Sequence, residues 1–292
     1  MHDRTEIQGR VKDTVDMVVS VSWLAEHLHD EKLAVVDCRF VLGQPEKGRD
    51  GYKTEHIPGA IYFDLEQDLS APKAVHGGRH PWPDADVFAT KLGQVGIDND
   101  TAIVLYDKQQ GVMAARAYWV LRYVGHEKLA LLNGGFPAWK AAGYPVTAEM
   151  PKRSSATYVP RVRKDLLRNV DDVRRHVKGG QALLVDSRAH NRYTGEVETI
   201  DPVGGHIPGA VNYEWQCVVD ETGKWKDEKV LREHFSELPR DREVIVYCGS
   251  GVTACANLFA LERLGYENAK LYAGSWSDWI SYPDNPVATG NE

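Results

Sequence analysis

Cysteine is scarce in this chain: four in 292 residues, and Cys38, Cys217, Cys248 and Cys255 form no C-x-x-C spacing. That excludes a disulfide scaffold and a thiolate zinc site, and it points to a reducing, cytoplasmic setting. Positive charge is not in surplus either, since 35 Lys and Arg stand against 42 Asp and Glu, a net charge of −7. A general nucleic-acid binder shows the opposite balance. No apolar stretch is long enough to span a bilayer. The uncharged run from Val244 to Leu261 is interrupted by Gly249, Ser250, Gly251 and Asn257, so it predicts a buried strand and helix. Met1 to Asp16 mix acids with bases and lack the apolar centre of a signal peptide, which predicts a frayed tail. No metal or organic cofactor is implied. What remains, 42% hydrophobic and 26% charged residues, suits a chain with two ordinary cores.

One of the four cysteines stands in a distinctive place. Val244-Ile245-Val246 reads as a strand and Ala254 to Leu264 as a helix, with Tyr247-Cys248-Gly249-Ser250-Gly251-Val252-Thr253 between them. Two glycines let such a loop turn its N–H groups inward, and the start of the helix adds positive potential. This place favours a thiolate, hence a nucleophile. The bland alternative is a small hydrophobe ending a buried strand, but that role does not require a glycine loop around the sulfur. Cysteine phosphatases and arsenate reductases share the strand, loop and helix yet end the loop with an arginine that clamps the oxyanion. Here the loop runs into Ala254, and the nearest downstream arginine is Arg263.

The whole chain repeats itself. Val35-Val36-Asp37-Cys38-Arg39 returns as Leu184-Val185-Asp186-Ser187-Arg188, and His56-Ile57-Pro58-Gly59-Ala60 returns unaltered from His206 to Ala210. Val104 to Asp107 matches Ile245 to Cys248, and Gly134 with Trp139 matches Gly274 with Trp279. Landmarks in one order predict two homologous domains: residues 17–148 and 165–287, joined by a linker at 149–164 that holds Pro151, Ser154, Ser155 and Pro160. Short non-alternating apolar runs between helical stretches predict an α/β fold with a mostly parallel sheet in each half. Ser22 is expected to cap a first helix, Val112 to Val124 to form another, and Asn169 to cap the first helix of the second half. Duplication also sorts features, because what occurs twice serves the fold. His56 and His206 therefore read as structural. Cys248 has no twin, its counterpart being Asp107.

The loop Cys-Gly-Ser-Gly-Val-Thr resembles the active-site loop of the rhodanese superfamily, most closely that of its 3-mercaptopyruvate sulfurtransferases, and the resemblance covers about residues 17 to 287. It implies an inactive first domain packed on a catalytic second one. The reaction it implies is double displacement: Cys248 takes the sulfane sulfur of 3-mercaptopyruvate as a persulfide and passes it to thioredoxin, a small thiol or cyanide. Rhodaneses preferring thiosulfate carry basic residues after the cysteine, where this chain has Gly249 and Ser250. Backbone groups of Gly249, Gly251, Val252 and Thr253 should hold the transferred sulfur, with Thr253 also capping the helix. An anionic donor needs fixed cations at the carboxyl ends of the strands, and Arg188 and Arg192 are the candidates. Arg188 has an alternative as a structural ion pair, since Arg39 stands in the same place in the first half. The resemblance further implies a relay of Ser250, a histidine and Asp64, in which a carboxylate orients an imidazole that polarises a hydroxyl. His80 is the candidate and His76 its rival, and both could belong to a surface loop. Cys38, Cys217 and Cys255 are expected in the core. A thiosulfate:cyanide sulfurtransferase, a non-catalytic binding or sensor module and a cysteine phosphatase are the other readings.

Overall fold

Branched apolar runs with no polar alternation must be covered on both faces, and the chain achieves this by repeating one βα layer arrangement twice. The computed structural model describes residues 16–291; the N-terminal segment read above as a tail otherwise lies outside them. Strands β1 (Val18–Val19), β2 (Leu33–Asp37), β3 (Ile61–Tyr62), β4 (Ala102–Tyr106) and β5 (Leu129–Leu132) form one sheet in the order β1-β5-β4-β2-β3. Strands β6 (Leu167–Arg168), β7 (Leu183–Asp186), β8 (Ala210–Asn212), β9 (Val244–Tyr247) and β10 (Ala269–Tyr272) form a second in the order β6-β10-β9-β7-β8. All pairings within both are parallel, and the register repeats: Asp37 lies opposite Tyr106 as Asp186 lies opposite Tyr247. The expected α/β architecture is thus present in both halves.

Local sequence explains the helix ends, with one shift from expectation. The first helix runs Val21–His27 and is capped by Ser20, whose Oγ accepts from the Trp23 N–H; Ser22 hydrogen-bonds to the Ser20 hydroxyl instead. The helix Val112–Tyr123 forms as expected. Asn169 caps Val170–Val177, with Asp172 answering back to the Asn169 N–H in a capping box.

Each sheet has a private outer core, around Trp139 in the first half and around Trp276 and Trp279 in the second. The inner cores merge. Leu105, Val120, Val246 and Phe259 belong to one continuous apolar cluster, in which the helices Val112–Tyr123 and Ala254–Arg263 meet and Tyr118 packs edge-on against Phe259 at 4.9 Å between ring centres. Apolar burial of this kind makes the interface an extension of the two cores, so the first half supports the geometry of the second. Cys38 and Cys255 are buried as expected, whereas Cys217, expected in the core, is exposed on a short 3-10 turn, Trp215–Val218.

Each half also covers the other's central loop. Segment 76–82 of the first half lies over the second: the Gly77 N–H donates to Asp278 Oδ1 at 2.7 Å and the Arg79 N–H to Ser277 Oγ at 3.1 Å. In return the Trp225 N–H donates to Asn133 Oδ1 at 3.0 Å, and the Trp225 ring lies where a side chain at Gly111 would project.

Candidate functional site

The loops after β4 and β9 emerge at equivalent points, and their difference defines the site. In the first half Asp107 ends the strand, and its carboxylate accepts four backbone N–H groups: Gln109 at 2.8 Å, Gly111 at 2.9 Å, Met113 at 2.7 Å and Ala114 at 3.0 Å. An anion therefore fills that nest. In the second half Cys248 ends the strand, and the N–H groups of Gly249, Ser250, Gly251, Val252, Thr253 and Ala254 meet no acceptor among the described residues. Buried amides without acceptors are rare. A loop built to hold an anion, with its built-in anion replaced by a thiol, is arranged for a charged sulfur.

The loop's shape has identifiable causes. Gly251 adopts φ +74, and a Cβ there would come within 2.2 Å of the Ala273 carbonyl oxygen, so only glycine fits. Beneath Cys248, Ser275 takes φ +56, the angle its counterpart Gly135 also takes. A serine tolerates that conformation at a cost of about 1–3 kcal/mol. In exchange its Oγ accepts the Cys248 N–H at 3.1 Å and donates to the Tyr272 carbonyl at 2.9 Å. Sequence reasoning passed over Ser275; the signal was a serine standing where the first half has a second glycine. Thr253 takes the cap position of the helix Ala254–Arg263 but makes no side-chain cap, contrary to expectation. Val252 is buried in the shared core and offers the loop only its backbone.

His80 is brought to the loop and His76 is not. His80 Nδ1 lies 2.9 Å from Ser250 Oγ, with the histidine 3% exposed. His76 stacks on Tyr282 at 3.9 Å and meets Ser281 Oγ at 2.8 Å. Asp64, expected beside the histidine, does not meet His80. Its carboxylate accepts the N–H groups of Glu66 at 2.9 Å and Gln67 at 3.2 Å and pairs with Arg49 at 3.2 Å. The reason is local: Asp64 closes the turn after β3, which satisfies its oxygens before they can reach His80. A cavity of about 590 Å³ that Asp64 lines with Arg49, Tyr62 and Lys91 likewise holds no residue of the Cys248 loop. Burial first, and then the nearby Arg116, Arg79 and Lys73, drive the His80 imidazolium pKa down to about 3. His80 is thus held as a neutral ring, with Nδ1 against the Ser250 hydroxyl.

Arg116 supplies a cation that sequence reasoning missed. It sits wholly buried in the helix Val112–Tyr123, donating to the Gly251 carbonyl at 2.9 Å, the Leu69 carbonyl at 2.9 Å and the His80 carbonyl at 3.2 Å. Its guanidinium stacks on Trp82 at 4.3 Å. No carboxylate pairs with it among the described residues, and the sulfurs of Cys255 and Cys248 lie near it. Burial lowers its pKa to about 10, so it remains charged at neutral pH. Cys255, pushed up to about 12 by burial, stays a thiol and donates to the Gly251 carbonyl at 3.4 Å.

Arg188 has a structural employment. Its guanidinium forks onto Asp186, with Nη2 at 2.5 Å, reaches the Gly205 carbonyl at 2.6 Å and lies over Trp276 at 4.6 Å. Arg39 does the same with Asp37 at 2.6 Å, the Glu55 carbonyl at 2.6 Å and Phe136 at 4.3 Å. What occurs twice in this way serves the fold, so Arg188 is withdrawn from donor binding. Arg192 does reach the loop: a Cβ on Gly249 would lie 3.6 Å from its Nη2.

The rhodanese-like domain profile matches residues 20–142 and again residues 169–282. The chain belongs to the rhodanese family. This rhodanese is 43% identical over 280 residues to a probable 3-mercaptopyruvate sulfurtransferase of Pseudomonas aeruginosa, covering 94% of this chain and 98% of the relative. It is 34% identical over 288 residues to the thiosulfate sulfurtransferase of Bos taurus, covering 94% and 95%. Among solved structures it resembles that of SseA from Escherichia coli, described as a 3-mercaptopyruvate sulfotransferase, with a TM-score of 0.80, 32% identity and coverage of 90% and 100%. No helix of the described residues is long and apolar enough to cross a membrane.

Proposed function

We propose that this rhodanese is a sulfurtransferase that carries sulfur from 3-mercaptopyruvate on Cys248. The observation that supports it is the pair of twin loops: four amides on the Asp107 carboxylate in one, six amides awaiting an acceptor around Cys248 in the other. The Cys248 thiolate attacks the donor sulfur, an S–S bond forms, and the C–S bond breaks to release the enolate of pyruvate. The donor's S–H proton ends on the enolate carbon, leaving Cys248 as a persulfide anion. Ser250, held by neutral His80, is placed to pass that proton. Loop amides and buried Arg116 stabilise the anionic outer sulfur, as fixed dipoles and charges do best away from water.

A thiol then completes the cycle. An acceptor R–SH yields R–S–SH and restores the Cys248 thiolate; thioredoxin, a small thiol and cyanide are acceptors of the right kind. Four free cysteines fit a reducing, cytoplasmic setting. The neutral Gly249-Ser250 pair favours the ketone-bearing donor over thiosulfate, the donor named for the Bos taurus relative. Comparing kcat/KM for the two donors, with pyruvate and thiocyanate as products, tests this. A preference for 3-mercaptopyruvate is expected, and a tenfold preference for thiosulfate would overturn the donor assignment.

A further inference from the structure

Two guanidinium groups from different domains converge beside the nucleophile. A Cβ on Gly249 would lie 2.8 Å from Arg79 Nη2, and 3.6 and 3.7 Å from Arg192 Nη2 and Nη1. Arg79 comes from the first half, its backbone fixed on Ser277. Neither guanidinium is free. Asp201 bridges them, one oxygen accepting from Arg79 Nη1 and the other from Arg192 Nη2 at 2.9 Å. Glu198 holds Arg192 Nε at 3.0 Å, and Arg79 Nε is buried without an acceptor. The segment carrying Glu198 and Asp201 is bracketed by Gly195 at φ +82 and Gly205 at φ +107, and it leaves Val197, Ile200 and Val203 exposed. It is fastened by its carboxylates more than by apolar burial. Cys248, next to Gly249, is 1% exposed.

Arg192 is the donor-binding arginine that the resemblance implies; we propose that Arg79 completes its seat for the donor's carboxylate, and that Asp201 occupies this seat until a donor displaces it. The inference rests on the sulfur-transfer reading above for the identity of the donor. The exchange is carboxylate for carboxylate, so both guanidiniums keep a partner of the same geometry and little free energy separates the two states. Release of Asp201 frees the segment between Gly195 and Gly205 to move and opens the way to Cys248. The exchange also selects charge. Arg79 and Arg192 carry two positive charges, and Glu198 with displaced Asp201 carries two negative ones, so a monocarboxylate is tolerated where a dianion such as thiosulfate is repelled.

Iodoacetate and iodoacetamide test the seat without any sulfur transfer, because they have similar shape and only the first bears a carboxylate. Each is attacked by the Cys248 thiolate, an S–C bond replacing the C–I bond as iodide leaves, and labelling is read on the peptide containing Cys248 so that exposed Cys217 does not contribute. Arg79→Met should lower the iodoacetate to iodoacetamide rate ratio at least fivefold, and Arg79→Gln gives the same reading should the methionine variant not fold. Asp201→Asn should raise the rate with both reagents at least fivefold and lower KM for thiosulfate more than for 3-mercaptopyruvate. A ratio within twofold of the parent in both Arg79 variants, or no faster labelling in Asp201→Asn, overturns the proposal. If the labelling pattern holds while neither donor is turned over, the carboxylate seat stands and the sulfurtransferase reading alone fails.

Discussion

Protonation of His80 is expected to be resisted by the folded protein, and this gives the site a measurable cost in acid. The ring is 3% exposed and faces Arg116, Arg79 and Lys73, with burial as the main cause of a pKa near 3 against 6.5 for a free ring. Because the folded value is the lower one, the unfolded chain takes up the proton first. Stability is therefore complete above pH 6.5 and lost as pH falls from there towards 3. Between pH 7 and pH 5 the unfolded chain gains about three-quarters of a proton that the folded one refuses, worth ~2 kcal/mol. His126 and His234 are also lowered by burial, so the His80 share is isolated by comparison with His80→Gln, which keeps a hydrogen-bonding partner for Ser250. Denaturant titrations at the two pH values should show the parent losing ~2 kcal/mol more than the variant. Nitrogen chemical shifts of the ring should report a neutral imidazole at pH 5. An imidazole titrating near 6.5, with equal acid sensitivity in parent and variant, would refute the buried neutral ring and with it the role given to Ser250.

Three further outcomes follow from the same geometry. Ser275→Ala keeps the left-handed strain but leaves the Cys248 N–H without its acceptor, so it should cost ~1–3 kcal/mol; Ser275→Gly relieves the strain and should melt above the alanine variant, which thermal denaturation will show. Arg116→Met removes the buried cation and strands three carbonyls, so the melting temperature and the rate of Cys248 alkylation at pH 7 should both fall, the latter at least tenfold. Asp107→Ala leaves four amides without their carboxylate and should destabilise the protein by at least ~2 kcal/mol, measured by denaturant titration, while sulfur transfer at saturating donor is retained.

The fold was legible in the sequence because its signals are local or repeated. β2 and β7, the paired His56 and His206 motifs and the strand, loop and helix around Cys248 each declare themselves within about twenty residues. Duplication also read His56 and His206 as structural, and Nδ1 of each ring meets a nearby carbonyl, of Tyr52 at 2.6 Å and of Tyr193 at 2.8 Å. The same rule, applied strictly, would have assigned Arg188 to the fold through its twin Arg39. Of the features made at the domain interface, the approach of His80 to Ser250 was legible only through the family resemblance, and the others were not. Arg79 and Asp201 lie 122 positions apart, and no periodicity links a loop arginine to a loop aspartate in another domain. Arg116 did leave a trace, as a lone charge among Ala114, Ala115, Ala117 and Tyr118 on a buried helix. Asp64 misled because a carboxylate near a histidine in sequence is more readily spent on its own turn than on a partner sixteen residues away.

The most direct test of the account is the mass of the Cys248 peptide after the protein meets 3-mercaptopyruvate without an acceptor. One added sulfur on that peptide, lost on adding a thiol and never formed in Cys248→Ser, is the predicted result. Sulfur on Cys217 instead, or none on any cysteine while pyruvate is still released, would contradict it.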